Sequence, residues 1–221
     1  MRGEGLLMLG RLLDSVSEQN YDNIETIVSD HSVSNDLEHL CERYPKVIYV
    51  KNTINRGNSS ANMNNAVEHA KGHYIKPMFQ DEAFYNRNAI SMLVNEINSS
   101  KASWAICGCV CYRNKVTELF NYHKPSWVSE KALLDGCNTI GPPSAIMYKK
   151  DCGVVFDENL IWLMDCDFYY ELHRIVGQPI CIEETCILVR MWDGSVSNSV
   201  VTEKIRLKEN EYIMKKHKGA C

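Results

Sequence analysis

The chain reads as an α/β protein with a mostly parallel central sheet flanked by helices. Three observations predict this. Apolar residues at helical spacing alternate with short apolar runs through the first hundred residues. The connections between them are short, and Gly, Pro or polar clusters punctuate the transitions. Such a β-α-β-α rhythm is the signature of a sheet covered by helices.

Each element has its own warrant. Leu6, Leu9, Leu13 and Val16 share one helical face. Ile24 to Ser29 is a buried strand ended by Asp30-His31-Ser32, and Leu37, Leu40, Cys41 and Tyr44 mark a helix that stops before Pro45. Val47 to Val50 is a second strand. Ser59 or Ser60 caps a helix carrying Met63, Ala66, Val67 and Ala70 and closed by Gly72. Tyr74 to Phe79 is a third strand, running out to Gln80-Asp81-Glu82, and Ile90, Leu93, Val94 and Ile97 mark the next helix. Beyond residue 100 the pattern loosens: a strand at Trp104 to Cys111, a short helix at Trp127 to Leu134, a strand at Ala145 to Tyr148, a helix at Met164 to Val176 and a strand at Ile180 to Val189. Thr202 to Lys218 reads as a polar surface helix, with Lys215-Lys216-His217-Lys218 as a solvated basic end.

Bulk properties exclude several classes. The 221 residues, 45% hydrophobic and 24% charged, suit one sizeable globular domain. A formal net charge of -4 gives no footprint for nucleic acid. No run approaches the roughly eighteen apolar residues of a membrane span, and nothing resembles a signal peptide. Stable membrane insertion is not expected, and a cytoplasmic location is. The ten cysteines include no Cys-x-x-Cys pair, so reduced, buried thiols are expected rather than a zinc site. Cys107, Cys109 and Cys111 alternate and share one strand face.

Four places carry candidate chemistry. Asp81-Glu82 follows a strand at a sheet edge, where α/β folds bind ligands. Two acids there suit a hard divalent cation held together with substrate phosphates. Asp30, ending another strand at the same edge, accepts hydrogen bonds from a base or ribose, or else forms an Asx-type turn or helix N-cap, which its Asp-x-Ser-x-Ser-Asn setting also suits. Asn55-Arg56-Gly57-Asn58-Ser59-Ser60 leads into a helix N-terminus, so it either caps that helix or binds phosphate with Arg56 as a cation. Asp165 and Asp167 open a helix but point to different faces. Either they cap it, or one is a general base beside the rigid Gly141-Pro142-Pro143-Ser144 turn.

From Leu12 to about Ser197 the chain resembles the family 2 glycosyltransferases of the GT-A (Rossmann-like) fold. The stretches that carry the resemblance are Leu13-Asp14-Ser15-Val16-Ser17-Glu18-Gln19-Asn20-Tyr21, Ile27-Val28-Ser29-Asp30-His31-Ser32, Ala70-Lys71-Gly72-His73-Tyr74-Ile75-Lys76 and Gln80-Asp81-Glu82. Gly141-Pro142-Pro143-Ser144, Phe156-Asp157-Glu158 and Asp165-Cys166-Asp167 follow in order. The resemblance implies an inverting, metal-dependent transferase that moves a sugar from a UDP-, dTDP- or GDP-linked donor to a hydroxyl of a glycan, polysaccharide or glycoprotein. It implies that Asp30, Ser32, Arg56 and Gln80 contact the nucleotide, that Asp81 with Glu82 holds Mn²⁺ or Mg²⁺, and that Asp165 is the catalytic base. It divides one GT-A-like domain into a nucleotide-sugar half (about 1–100), a smaller mixed acceptor half (about 101–200) and a C-terminal helix (201–221).

The departures from the family pattern are specific. Phe79 or Gln80 stands where the fuller acidic motif has its first Asp, Met63 aligns with an Arg, and Trp192 aligns with a downstream His. The opening hydrophobic strand, which would sit mid-sheet, is missing before the first helix, as expected of a truncated or shortened form. The alternative reading is a non-catalytic sugar-nucleotide-binding or interaction module of the same fold.

Overall fold

A computed structural model describes residues 2–218. Its first third alternates as expected: helix α1 (Arg2–Ser17), strand β1 (Thr26–Asp30), α2 (Asp36–Cys41), β2 (Val47–Lys51) and α3 (Ser59–His69). β1 and β2 pair in parallel, from Thr26 opposite Val47 to Asp30 opposite Lys51. Leu9, Leu12 and Leu13 of α1 pack on Cys41 of α2 and on Val28, Val47 and Tyr49 of the strands. The apolar spacing of α1 thus becomes one buried face.

The second sheet contains β3 (Tyr74–Ile75), β4 (Glu82–Phe84), β5 (Trp104–Tyr112), β6 (Leu119–His123), β7 (Ile146–Lys149) and β8 (Ile180–Arg190). Its order is β3-β7-β5-β8-β4, with β6 paired to β5. β5 and β8 are parallel, whereas β3–β7, β5–β7, β5–β6 and β4–β8 are antiparallel. The parallel pairing expected from the early rhythm is met in β1–β2 and β5–β8, and the larger sheet as a whole is mixed. A parallel pair needs a crossover of about a dozen residues or more, while the short 113–118 connection lets β6 return antiparallel.

All nine residues of β5 are buried. On one face lies α4 (Ala89–Ser100), whose Ile90, Leu93, Val94 and Ile97 pack with Ala105, Cys107, Cys109 and Cys186. The other face carries α6 (Met164–Val176), with Trp104 and Ile106 of β5 packed among Phe168, Tyr169 and Leu172. Phe168 stacks on Phe156 at 4.0 Å between ring centroids and meets Tyr148 edge-on at 5.2 Å. The nine cysteines among the described residues are free thiols. Three short or terminal helices complete the fold: α5 (Glu130–Leu134), α7 (Val196–Ser199) and α8 (Glu203–Lys216).

Local details depart from the expectations. Asn58, not Ser59 or Ser60, caps α3 by accepting from Ala61 N–H at 2.9 Å, and the helix ends at His69, before Gly72. The strand expected to reach Phe79 stops at Ile75, because Pro77 has no N–H to donate and, among the described residues, no strand lies on its outer side. Glu82 consequently begins β4 instead of ending β3. The basic end of α8 is solvated only in part: Lys215 and Lys218 are exposed, whereas Lys216 Nζ reaches Asp157 at 2.7 Å and Asp167 at 2.8 Å, and buried His217 lies 2.8 Å from Asp167. These contacts fasten α8 to α6.

Gly108 sits where β5 and β8 shift register. A Cβ there would lie 3.0 Å from Glu184 O and 3.2 Å from Glu183 O and His123 O. Gly108→Ala is therefore expected to destabilise the fold by about 1–3 kcal/mol, read as a lower urea midpoint. An unchanged midpoint would mean that the strands part there without cost.

Candidate active site

A cavity of about 1080 Å³ is lined by the apolar face of α1, by β1 and β3, and by Asp81, Asp165 and Trp192. β1 pairs only with β2 and β3 only with β7, so each turns a second edge toward this space. Among the described residues, this cavity lies between β1 and the larger sheet, the mid-sheet region in which the sequence resemblance puts an opening strand.

Asp81 lies in the turn between β3 and β4. Its backbone carbonyl accepts from Arg190 N–H at 3.3 Å, which fixes the turn to the end of β8. Its Oδ2 accepts the Trp192 indole N–H at 3.0 Å. The Arg190 guanidinium lies 5.2 Å from the centroid of the Trp192 ring that bonds Asp81, and it is paired with Glu4 at 2.7 Å. Glu82 does not share this setting. It is 5% exposed and turned inward, where it accepts Phe79 N–H at 2.8 Å. Burial and the neighbouring Asp81 charge push its carboxyl up to about 7, against the Phe79 hydrogen bond. Lys76, whose ammonium bonds Ser144 O, is lowered by burial. Asp81 is thus the half-buried acid that lines the cavity with a free oxygen, and Glu82 braces the turn behind it.

No group of three His, Cys, Asp or Glu side chains that could hold a metal occurs among the described residues. Asp81 offers one carboxylate, with Oδ1 free of protein partners among the described residues. That donor set fits a cation that draws most of its ligands from a substrate diphosphate and water.

Asp30 is 2% exposed and heavily engaged. Oδ1 accepts Ser32 N–H at 2.7 Å, while Oδ2 accepts from Ser32 Oγ at 3.0 Å, Tyr49 hydroxyl at 2.8 Å and Lys51 Nζ at 3.0 Å. Burial acts to raise its carboxyl, but these bonds hold it below the ordinary value. The Asx turn of the sequence is therefore formed, and a nucleobase reaching Asp30 would exchange with a hydroxyl already there. Gln80 and Ser32 line the cavity with it. Arg56 does not join them. It is exposed, and Asn55 and Asn58 tie its loop to Glu158 at 2.7 Å each.

Asp165 and Asp167 divide as their spacing predicts. Asp167 is buried against Lys216 and His217, whereas Asp165 lines the cavity. Burial pushes the Asp165 carboxyl up to about 6, opposed by hydrogen bonds from Cys166 N–H at 2.7 Å and Asn138 Nδ2 at 2.6 Å. The approach to α6 is held by Glu209 of α8, which accepts N–H bonds from Ile161, Trp162 and Leu163 at 2.8, 2.9 and 2.8 Å. A buried carboxylate on three backbone donors neutralises the helix start without using Asp165.

Sequence reasoning missed Arg190, Lys76, Asn138 and Glu209. A faint signal existed for Arg190, a cation ending an apolar strand, and for Lys76, a charge inside an apolar run. None marks Asn138 or Glu209, whose partners lie 27 and 46–48 residues away.

Comparison with known proteins places the chain in a family and a fold. The family model described as glycosyl transferase family 2 matches residues 3–172. An uncharacterized glycosyltransferase of Rickettsia prowazekii is 26% identical over 176 residues, covering 74% of this chain and 54% of that protein. The crystal structure of S. aureus TarS 1–349 in complex with UDP-GlcNAc superposes with a TM-score of 0.74 at 15% identity, over 94% of this chain and 62% of that one. The mannosyltransferase PcManGT of Pyrobaculum calidifontis, in complex with GDP-Man and Mn²⁺, gives 0.60 at 14% identity, over 92% and 56%. The chain thus spans about half the length of the Rickettsia relative and less than two thirds of either structure. Both structural likenesses establish the GT-A fold, and the family match over most of the chain establishes descent: this protein belongs to glycosyl transferase family 2.

Proposed function

We propose that the chain is an inverting, metal-assisted glycosyltransferase that moves a sugar from a nucleoside diphosphate onto a hydroxyl of a glycan, polysaccharide or glycoprotein. The observation that carries this reading is one cavity lined by both Asp81 and Asp165, with Arg190 beside the first and burial raising the second. The complexes of TarS with UDP-GlcNAc and of PcManGT with GDP-Man support a nucleotide-sugar donor.

In this reading the donor diphosphate lies toward Asp81, with the Arg190 guanidinium as a standing countercharge. Ser32 and Gln80 flank the nucleoside, near the engaged Asp30. A Mn²⁺ or Mg²⁺ held by Asp81 would neutralise charge on the departing nucleoside diphosphate. Asp165, ionised, takes the proton of the acceptor hydroxyl as its oxygen bonds the anomeric carbon. The bond from that carbon to the phosphate oxygen breaks on the opposite face, and its electron pair leaves with the nucleoside diphosphate. One in-line displacement inverts the centre, the geometry that separates two carboxylates in inverting glycosidases.

The Trp192–Asp81 hydrogen bond and the saturated Asp30 favour a second reading, a nucleotide-sugar-binding module without transfer. Metal binding discriminates the two. Mn²⁺ together with UDP, GDP or dTDP is expected to raise the thermal midpoint beyond either alone, through linkage. It should also change tryptophan emission, because a cation on the free oxygen of Asp81 alters the charge beside the Trp192 indole, and Trp192→Phe should remove that change. A shift with nucleotide but none with metal would leave only the binding module.

Asp165→Asn is expected to lower transfer about 10²–10⁴-fold while donor binding persists. Retained transfer would remove Asp165 from the chemistry. Since an Asp raised to about 6 is a base only when ionised, turnover should rise with pH through about 6 and level off above it. A flat profile from pH 5 to 7 would assign the proton transfer elsewhere.

A further inference from the structure

Asn138 lies outside any helix or strand, between α5 and the Pro143–Ala145 turn. Its amide is fully engaged. Oδ1 accepts Ile140 N–H at 3.0 Å and Gly141 N–H at 2.9 Å, while Nδ2 donates to Gly141 O at 2.8 Å and to Asp165 Oδ2 at 2.6 Å. Two backbone N–H groups can bond only an oxygen, so the amide cannot be reversed without breaking all four contacts. The donor on Asp165 is therefore fixed in identity as well as in place.

The loop is held to α6 at a second point. Tyr169 hydroxyl donates to Gly141 O at 3.0 Å, and Tyr169 stands four residues after Asp165, on the same helix face. Gly141 itself has φ 111°, and a Cβ there would meet the His123 ring at 3.3 Å, so the turn depends on glycine. Asp165 Oδ1 takes Cys166 N–H at 2.7 Å. Each carboxylate oxygen thus has a fixed N–H donor, with the Cys166 thiol as a further side-chain partner.

We propose that Asn138 is the positioning residue of the base: its side-chain amide orients the Asp165 carboxylate and joins it to the Gly141–Ser144 turn, so that base and acceptor-side wall form one rigid unit. This rests on the reading of Asp165 as the base. A donor aimed at the ionised oxygen also favours ionisation, opposing the burial that raises this group. The other titratable groups around it are Cys166 and Tyr169 on α6, with Cys137 of the loop next to Cys166. Burial raises both Cys166 and Tyr169, leaving them neutral near pH 7. Both Asn138 and the Cys166 thiol act to lower Asp165, Asn138 the more strongly, so loss of the Asn138 amide should move its titration upward.

The test is the near-isosteric Asn138→Asp, in which one oxygen still accepts from Ile140 and Gly141 and so keeps the turn, while the other faces Asp165 as a like charge. Against the parent, kcat at pH 7 should fall about 10–100-fold, the donor KM should stay near its parent value, and the acid limb of the kcat profile should move up by about one pH unit or more. Asn138→Ser, whose hydroxyl serves the turn but is too short to reach Asp165, should reproduce the kcat loss and, with a smaller upward shift, the direction of the pH change. Parental kcat and acid limb in a folded Asn138→Asp or Asn138→Ser variant would overturn the proposal, even with Asp165→Asn inactive. An active Asp165→Asn would overturn the base reading itself, and with it any role for Asn138 through that residue.

Discussion

The structure depends on the complete burial of β5. A strand covered on both faces must be apolar along its whole length, and Trp104 to Tyr112 meets that demand with nine buried residues. Because β5 pairs with β6, β7 and β8, it sets the register of most of the larger sheet. Its two faces then decide where α4 and α6 lie. The site inherits its geometry from those decisions: α6 carries Asp165, while β8 delivers Arg190 and Trp192 to the turn that holds Asp81.

Around this frame, charged groups are placed according to whether they are used or spent. Asp167, Glu209, Lys216 and His217 are spent on fastening α8 to the start of α6. Buried carboxylates of this kind contribute only if paired or hydrogen-bonded, and both Asp167 and Glu209 are. Asp30 is spent on its own turn and on Lys51. Asp81 and Asp165 differ in that each retains acceptor capacity toward a cavity. The distinction separates residues that hold the architecture from residues available for chemistry, although all are acids or their partners.

The helices were largely legible in the sequence because their apolar faces repeat at helical spacing. α4 shows this plainly: Ile90, Leu93, Val94 and Ile97 were expected on one face and are all buried. The ordered motifs also pointed to Asp30, Asp81 and Asp165 as residues near a common site. Less visible were the short strands. β3 shrinks to two residues because Pro77 and an unpaired edge deny it a ladder, and the half-polar Leu119–His123 becomes β6 only because β5 offers an edge. The tail was legible only in part for a related reason, since Lys216 and His217 look like their solvated neighbours Lys215 and Lys218 until Asp157 and Asp167 are brought beneath them.

By itself the sequence determined the helical faces, the α/β rhythm, the family and a set of acids that line one cavity. Those properties are written in local spacing and in the order of short motifs, so no distant contact is needed to read them. Only the tertiary structure decided that Glu82 turns inward while Asp81 faces the cavity, that Arg190 and not Arg56 supplies the nearby cation, and that Asn138 holds Asp165. Each of these depends on hydrogen bonds or packing between residues far apart in the chain, and the direction of a side chain is fixed by the partner it meets there.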